Sequence, residues 1–277
     1  MAELSRPDQI PALKAIWAAS FPEDSHELID RAFGRLYRPA DCMVECRACR
    51  PVSMAFLLPA VWHNGTSTYP VQYIYAAATL PAYRGQGLFG ALLRQAHEEA
   101  SRRGQAASFL RPGEPSLTAY YRRFGYENWF TAAVLRLSRE ELAALGGRAA
   151  GIARFSSCPD YGARRDALLA AHPCWIRWEE RLARQAVDTA SGVLIGPDGC
   201  ALCERAGDTL LVRELLCPPE RLADYGRALL ECFPSSRYEI VRPADETRPG
   251  EAFAMWRPLS DAARRPAGPP YLGLTLE

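Results

Sequence analysis

Lysine is almost missing from this chain: of 33 basic residues only Lys14 is a lysine. Without a Gly-Lys-Ser/Thr string there is no G-x-x-x-x-G-K-[ST] phosphate loop, which excludes a P-loop nucleotidase. A surplus of charge is missing as well. The 33 basic residues face 32 acidic ones, for a net charge of +1, and the arginines are scattered rather than gathered into a stripe. That argues against nucleic acid as a partner. No apolar run reaches 18 residues, and no apolar stretch follows a basic segment in the first 13, so neither a membrane span nor a signal peptide is expected. The nine cysteines are odd in number and set among apolar residues, as in a reducing compartment. A cytoplasmic protein is the expectation.

Two cysteine patterns need weighing. Cys42-x-x-x-Cys46-x-x-Cys49 matches a string that holds iron–sulfur clusters, and Cys200-x-x-Cys203 could form half of a zinc site. Both read as lying at hairpins, and residues three apart in extended backbone point to opposite faces. Incidental cysteines and no metal are therefore expected.

What is present centres on Val71 to Tyr126. It reads as a strand (Gln72 to Thr79), a glycine-rich turn (Arg84-Gly85-Gln86-Gly87-Leu88-Phe89-Gly90), a helix to about Arg103, a strand (Gln105 to Leu110) and a short aromatic helix ending at Gly125. A helix beginning near Gly87 leaves its first N–H groups unpaired at the positive end of its dipole, which suits a phosphate. Gly85, Gly87 and Gly90 remove side chains that would keep a pyrophosphate away, and Arg84 can add a charge-assisted hydrogen bond. Gly85-x-Gly87-x-x-Gly90 also fits a dinucleotide fingerprint as a string. That reading needs an acidic ribose ligand about 20 residues on, where Gly104 to Leu110 holds no carboxylate.

Pro81-x-Tyr83-Arg84-Gly85-Gln86-Gly87-Leu88-Phe89, with Leu92-Leu93, resembles the acyl-CoA-binding motif of the GNAT N-acetyltransferases, [QR]-x-x-G-x-[GA]. Phe89 departs at the last position, with glycine displaced to Gly90. Ala119-Tyr120-Tyr121-Arg122-Arg123-Phe124-Gly125-Tyr126 resembles the segment that closes such a domain. Tyr73 to Pro81, Phe253 to Leu259 and Pro270-Tyr271-Leu272 extend the resemblance to a two-lobed bacterial branch related to the enhanced-intracellular-survival acetyltransferases. The resemblance implies an α+β (mixed α/β) GNAT fold with a central mixed sheet, and a second, degenerate GNAT-like lobe. It implies acetyl-CoA as acyl donor. Ala77, Ala78 and Thr79, on a strand expected to splay or bulge at Ala76 to Ala78, would meet the donor with Arg84, Gly85, Gln86, Gly87, Leu88, Phe89, Gly90, Ser116 and Leu117.

For the reaction, the same resemblance makes Tyr121 the acid that protonates the leaving thiolate and Glu277, at the chain end, the base. Against the first stands a packing stripe: Leu117, Tyr120, Tyr121 and Phe124 fall at helical spacing in any packed helix. His97 reads as a structural residue on the outer face of its helix. Glu23, Asp24, Glu27 and Asp30 at a helix start suit the helix dipole, or else attract a cationic amine.

The expected partner is an amine on a small molecule or peptide, with homo-oligomers compatible and neither nucleic acid nor membrane. The rival readings are a CoA-binding regulatory protein without catalysis and a dinucleotide enzyme.

Gly146 to Gly151 marks the expected boundary between residues 1–145, the catalytic domain, and 152–277, a lobe without its own CoA site. In the first, Ser25 to Tyr37 reads as a helix, Met43 to Cys46, Val52 to Trp62 and Thr68 to Thr79 as strands, and Asn64-Gly65 as a hairpin turn. In the second, a helix is expected over His172 to Gln185 and a terminal strand over Tyr271 to Leu276.

Overall fold

The computed structural model describes residues 2–244 and 249–276. In chain order the elements are β1 (Glu3–Leu4), α1 (Ile10–Ser20), α2 (His26–Leu36), β2 (Cys42–Arg47), β3 (Arg50–Asn64), β4 (Ser67–Thr79), α3 (Leu88–Arg102), β5 (Ala107–Leu110), α4 (Leu117–Arg122), β6 (Glu127–Ser138), α5 (Arg139–Ala143), β7 (Ala153–Phe155), α6 (Tyr161–Leu169), β8 (Cys174–Trp178), α7 (Glu180–Thr189), β9 (Gly192–Gly196), β10 (Gly199–Ala206), β11 (Thr209–Leu216), α8 (Leu222–Cys232), β12 (Arg237–Arg242) and β13 (Glu251–Pro258). They form two compact units: Met1–Trp129 with Ile176–Arg181 and Ala254–Ala267, and Phe130–Trp175 with Leu182–Phe253 and Gly268–Glu277.

In the first unit the strand order is β1-β2-β3-β4-β5-β13, with β8 also pairing with β3. β4 and β5 run parallel across the α3 crossover while their neighbours run antiparallel, which makes a mixed α/β sheet. β3 is apolar over most of its length because both its faces are covered. One face carries Tyr73, Phe109, Trp178 and Trp256 in ring contact. On the other, Leu92, Leu93 and Ala96 of α3 pack on Leu57, Ile74, Leu110 and Met255. α2 begins where expected, with the Ser25 hydroxyl accepting the Leu28 N–H at 3.1 Å. The hairpin forms one residue later than read: Asn64 pairs with Ser67, so Gly65, at φ 59°, and Thr66 are the central residues.

The second unit orders its strands β6-β12-β11-β10-β9-β7. β11 and β12 are parallel across α8, repeating the β4-α3-β5 pattern, and α5 starts with a Ser138–Glu141 capping box. Two expectations are corrected. Cys174–Trp178 within the anticipated His172–Gln185 helix is a strand, and the helix starts at Glu180. Its Cys-Trp-Ile-Arg-Trp sequence is aromatic and β-branched, and burial of four of the five residues favours the extended form. Tyr271–Leu276 forms no strand, only a single bridge from Tyr271 to Trp175.

The terminal segment is gripped by side chains instead. Arg165 and Glu214, both fully buried, pair at 2.8 Å. The Tyr271 hydroxyl donates to Glu214 Oε1 at 3.1 Å, the Leu274 N–H donates to the same oxygen at 3.3 Å, and Arg165 Nη2 donates to the Leu272 carbonyl at 2.8 Å. Gly273 turns the chain at φ 63° directly against the Glu214 carboxylate, where a Cβ would collide with it.

Candidate active site

Between Tyr75 and Ala78 the two residues Ala76 and Ala77 face the single residue Ala55 on β3, which is a β-bulge. Ala76 adopts φ 47°, a left-handed conformation that costs a non-glycine residue energy and persists where surroundings enforce it. On its other edge β4 pairs with β5 only from Val71↔Ala107 to Tyr73↔Phe109. Past Tyr73 the ladder between β4 and β5 ends, before the bulge.

Ser53, which sequence reasoning overlooked, fixes that edge. Its hydroxyl donates to the Ala78 carbonyl at 2.9 Å and lies 2.8 Å from Thr79 Oγ1. Having one proton, Ser53 accepts from Thr79. Arg84 Nε donates to the Thr79 carbonyl at 2.9 Å. The carbonyls of Ala78 and Thr79 thus have partners within the protein, and the outer guanidinium nitrogens of Arg84 stay exposed beside the turn.

Gly85 and Gly87 have φ 76° and 74° with open space where a side chain would stand, and Gly87 caps α3. The first three N–H groups of α3, on Leu88, Phe89 and Gly90, precede the first helical hydrogen bond, from Ala91 to the Gly87 carbonyl. Gln86 folds back to the Ala82 carbonyl at 3.3 Å. Gly90 has a different reason to be glycine: a Cβ there would lie 2.8 Å from the tip of the Phe124 ring. Phe89 stacks on Tyr120 and meets Tyr121 edge-on. The departure from the family pattern at Phe89 and the displaced Gly90 are thus one packing solution against α4. Gly90→Val is expected to destabilise the first unit by about 1–3 kcal/mol through overpacking, measured by denaturant unfolding.

α4 presents Tyr121, buried among Phe89, Tyr120 and Tyr126. Of the proposed packing stripe, Leu117 is exposed, and the Ser116 hydroxyl reaches Glu114 at 3.1 Å. Gly125, at φ 79°, ends the segment, and a Cβ there would meet Arg257 at 2.9 Å. Arg257 donates to the Phe124 carbonyl.

His97 does not lie on an outer face. It is buried, with Nε2 at 2.9 Å from the Tyr126 hydroxyl, which also lies 2.8 Å from the Ser108 hydroxyl. Burial and then the Arg257 charge push its pKa down to about 3, while burial pushes that of Tyr126 up. A histidine depressed from 6.5 in the folded state binds fewer protons than in the unfolded chain between those values. The first unit should therefore lose stability as pH falls from about 6.5 toward 3, at up to about 1.4 kcal/mol per pH unit, with no contribution above 6.5. His97→Gln should flatten that acid limb in unfolding curves taken across pH.

Three of the four acidic residues of α2 and its approach are already engaged. Asp24 accepts the Trp17 indole N–H at 2.7 Å, Lys14 reaches Asp30 at 2.8 Å, and Arg31 reaches Glu27 at 2.9 Å. Glu277 lies outside the described residues. Among those described, no cluster of three potential metal ligands occurs, and no helix is long and apolar enough to cross a membrane. Cys42 and Cys46 lie on β2 with Cys49 in the turn after it, and Cys200 and Cys203 both lie on β10 of the β9–β10 hairpin, with no turn between them.

A bulged strand that parts from its parallel neighbour beside a glycine-capped helix frames the candidate site. Residues 3–129 match the family described as acetyltransferase (GNAT) domain. The chain's fold is similar to that of a GCN5-related N-acetyltransferase from Kribbella flavida, at 20% identity and TM-score 0.73, covering 95% of this chain and 73% of that one. Eis1 from Mycobacterium abscessus is similar at 18% identity and TM-score 0.68, covering 95% and 74%. A GCN5-related N-acetyltransferase from Anabaena variabilis is similar at 16% identity and TM-score 0.72, covering 94% and 73%. No curated protein matches the sequence.

Proposed function

We infer that the protein transfers an acetyl group from acetyl-CoA to a primary amine by direct attack, and that the donor binds within residues 1–145. The observation that carries this reading is the bulged, unpaired β4 edge leading straight into the Gly85–Gly87 turn. Under it, the first N–H groups of α3 receive the pyrophosphate, with Gly85, Gln86, Gly87 and Leu88 forming the rim and the free end of Arg84 beside it. The pantetheine arm lies along Ala77 to Thr79, and the thioester carbonyl meets backbone N–H there.

The acceptor amine, ordinarily protonated at neutral pH, gives up a proton before its nitrogen attacks the thioester carbon. Backbone N–H groups of β4 hold the tetrahedral oxyanion, and losing one such donor typically costs about 3 kcal/mol. As the C–S bond breaks, Tyr121 donates its proton to the departing thiolate, and the second proton lost by the acylated nitrogen restores the phenol, directly or through water. His97, with Nε2 on Tyr126 and a pKa near 3, is a poor base. Glu277 is the base in this reading, directly or through water.

Residues 152–277 take no second donor. At the start of α8 Pro218 and Pro219 replace the glycines, and Arg221 there pairs with Asp198 and Asp224. Nine free cysteines favour a reducing, cytoplasmic setting.

Thiol release from acetyl-CoA across aminoglycosides, polyamines and peptides tests the reading. Amine-dependent release with one class is expected, and it names the acceptor. Donor binding without release on any amine would overturn catalysis in favour of a CoA-binding regulator, and nicotinamide binding would favour the dinucleotide reading.

A further inference from the structure

A second basic feature lies beside the turn. Arg94 is seven residues beyond Gly87, about 10 Å along the axis at 1.5 Å per residue. Helical side chains lean toward the N-terminus, and this one does: its guanidinium sits 5.9 Å from the centre of the Phe124 ring, whose tip covers Gly90. Arg123 lies 5.3 Å over the adjoining Tyr120 ring, and the two rings are 5.1 Å apart.

The two guanidiniums therefore share one patch on the α3–α4 surface. Both are exposed, and among the described residues neither has a carboxylate within ion-pair distance. The charges that act on the Tyr120 hydroxyl between them are those of Arg123 and Arg94, with no carboxylate among them. The cation–π attraction of each guanidinium to its ring leaves N–H groups for an incoming anion. At the far end of α3, Arg102 and the C-cap residue Arg103 both pair with Glu99. The same helix thus pairs its distal arginines and leaves the one nearest the turn open.

We propose that Arg94 and Arg123 form a second anion subsite that takes the 3′-phosphate of the donor, one ribose away from the pyrophosphate at the turn. This rests on the donor reading above. It makes the pair specificity-determining for CoA over its dephosphorylated form, because a phosphomonoester brings up to two negative charges and three acceptor oxygens to two fixed forks.

The test is calorimetric titration of the full chain with CoA and with dephospho-CoA. The wild type should bind CoA about tenfold more tightly, a difference of about 1.4 kcal/mol. Arg94→Ala with Arg123→Ala should bring that ratio to about one by weakening CoA alone. Arg94→Gln, which keeps the stem over Phe124, should reduce the ratio without disturbing packing, and Arg102→Ala should leave it unchanged. A wild-type ratio near one, or a ratio that survives the double substitution, overturns the subsite while leaving the turn intact. Binding of neither ligand by the wild type overturns the turn reading and the subsite with it.

Discussion

Replacing Glu214 by alanine is expected to destabilise the second unit by about 3–5 kcal/mol. The carboxylate is fully buried and serves three donors: Arg165, the Tyr271 hydroxyl and the Leu274 N–H. Removing it leaves a buried guanidinium without its counter-charge and two donors without an acceptor, and uncompensated buried groups cost more than the pair contributed. Arg165→Met combined with Glu214→Leu should cost clearly less than the sum of the single substitutions, because it removes both charges together. Denaturant unfolding of the four proteins measures this. Additive costs would mean that the two residues act separately.

Tyr121→Phe is expected to lower kcat by about 10²–10⁴ with little change in donor affinity, the range for loss of a positioned proton donor. The ring stays among Phe89, Tyr120 and Tyr126, so packing is kept and only the hydroxyl is lost. A thioester whose leaving thiol is more acidic needs less help, so the loss should shrink with such donors. A purely structural tyrosine would show no dependence on the leaving group.

The first unit was legible in sequence because its signals are local. The Gly85–Gly87 turn, the alanine bulge and the aromatic helix each carry their own pattern, and the structure sets all three on the β4-to-α4 segment. What escaped was non-local. Ser53 matters only because β3 register places it opposite Thr79, and His97 appears surface-like until Tyr126 and Ser108 close over it. Arg257 reaches α4 from 133 residues away. The terminal segment looked like a strand because its apolar residues are buried, yet its backbone groups are taken by Arg165 and Glu214 rather than by a ladder. Cys174–Trp178 was lost inside an apparent helix because a short apolar run has no distinctive period.

The central claim is that one donor binds at the Gly85–Gly87 turn, and titration of the protein with acetyl-CoA, alongside Gly87→Val, tests it most directly. At φ 74° a β-branched side chain is strained and projects into the open space where the proposed phosphate would sit. One molecule of acetyl-CoA bound per chain, with affinity reduced at least about tenfold in Gly87→Val, a loss of about 1.4 kcal/mol or more, is the expected result. Two molecules per chain, or binding that Gly87→Val leaves unchanged, would contradict it.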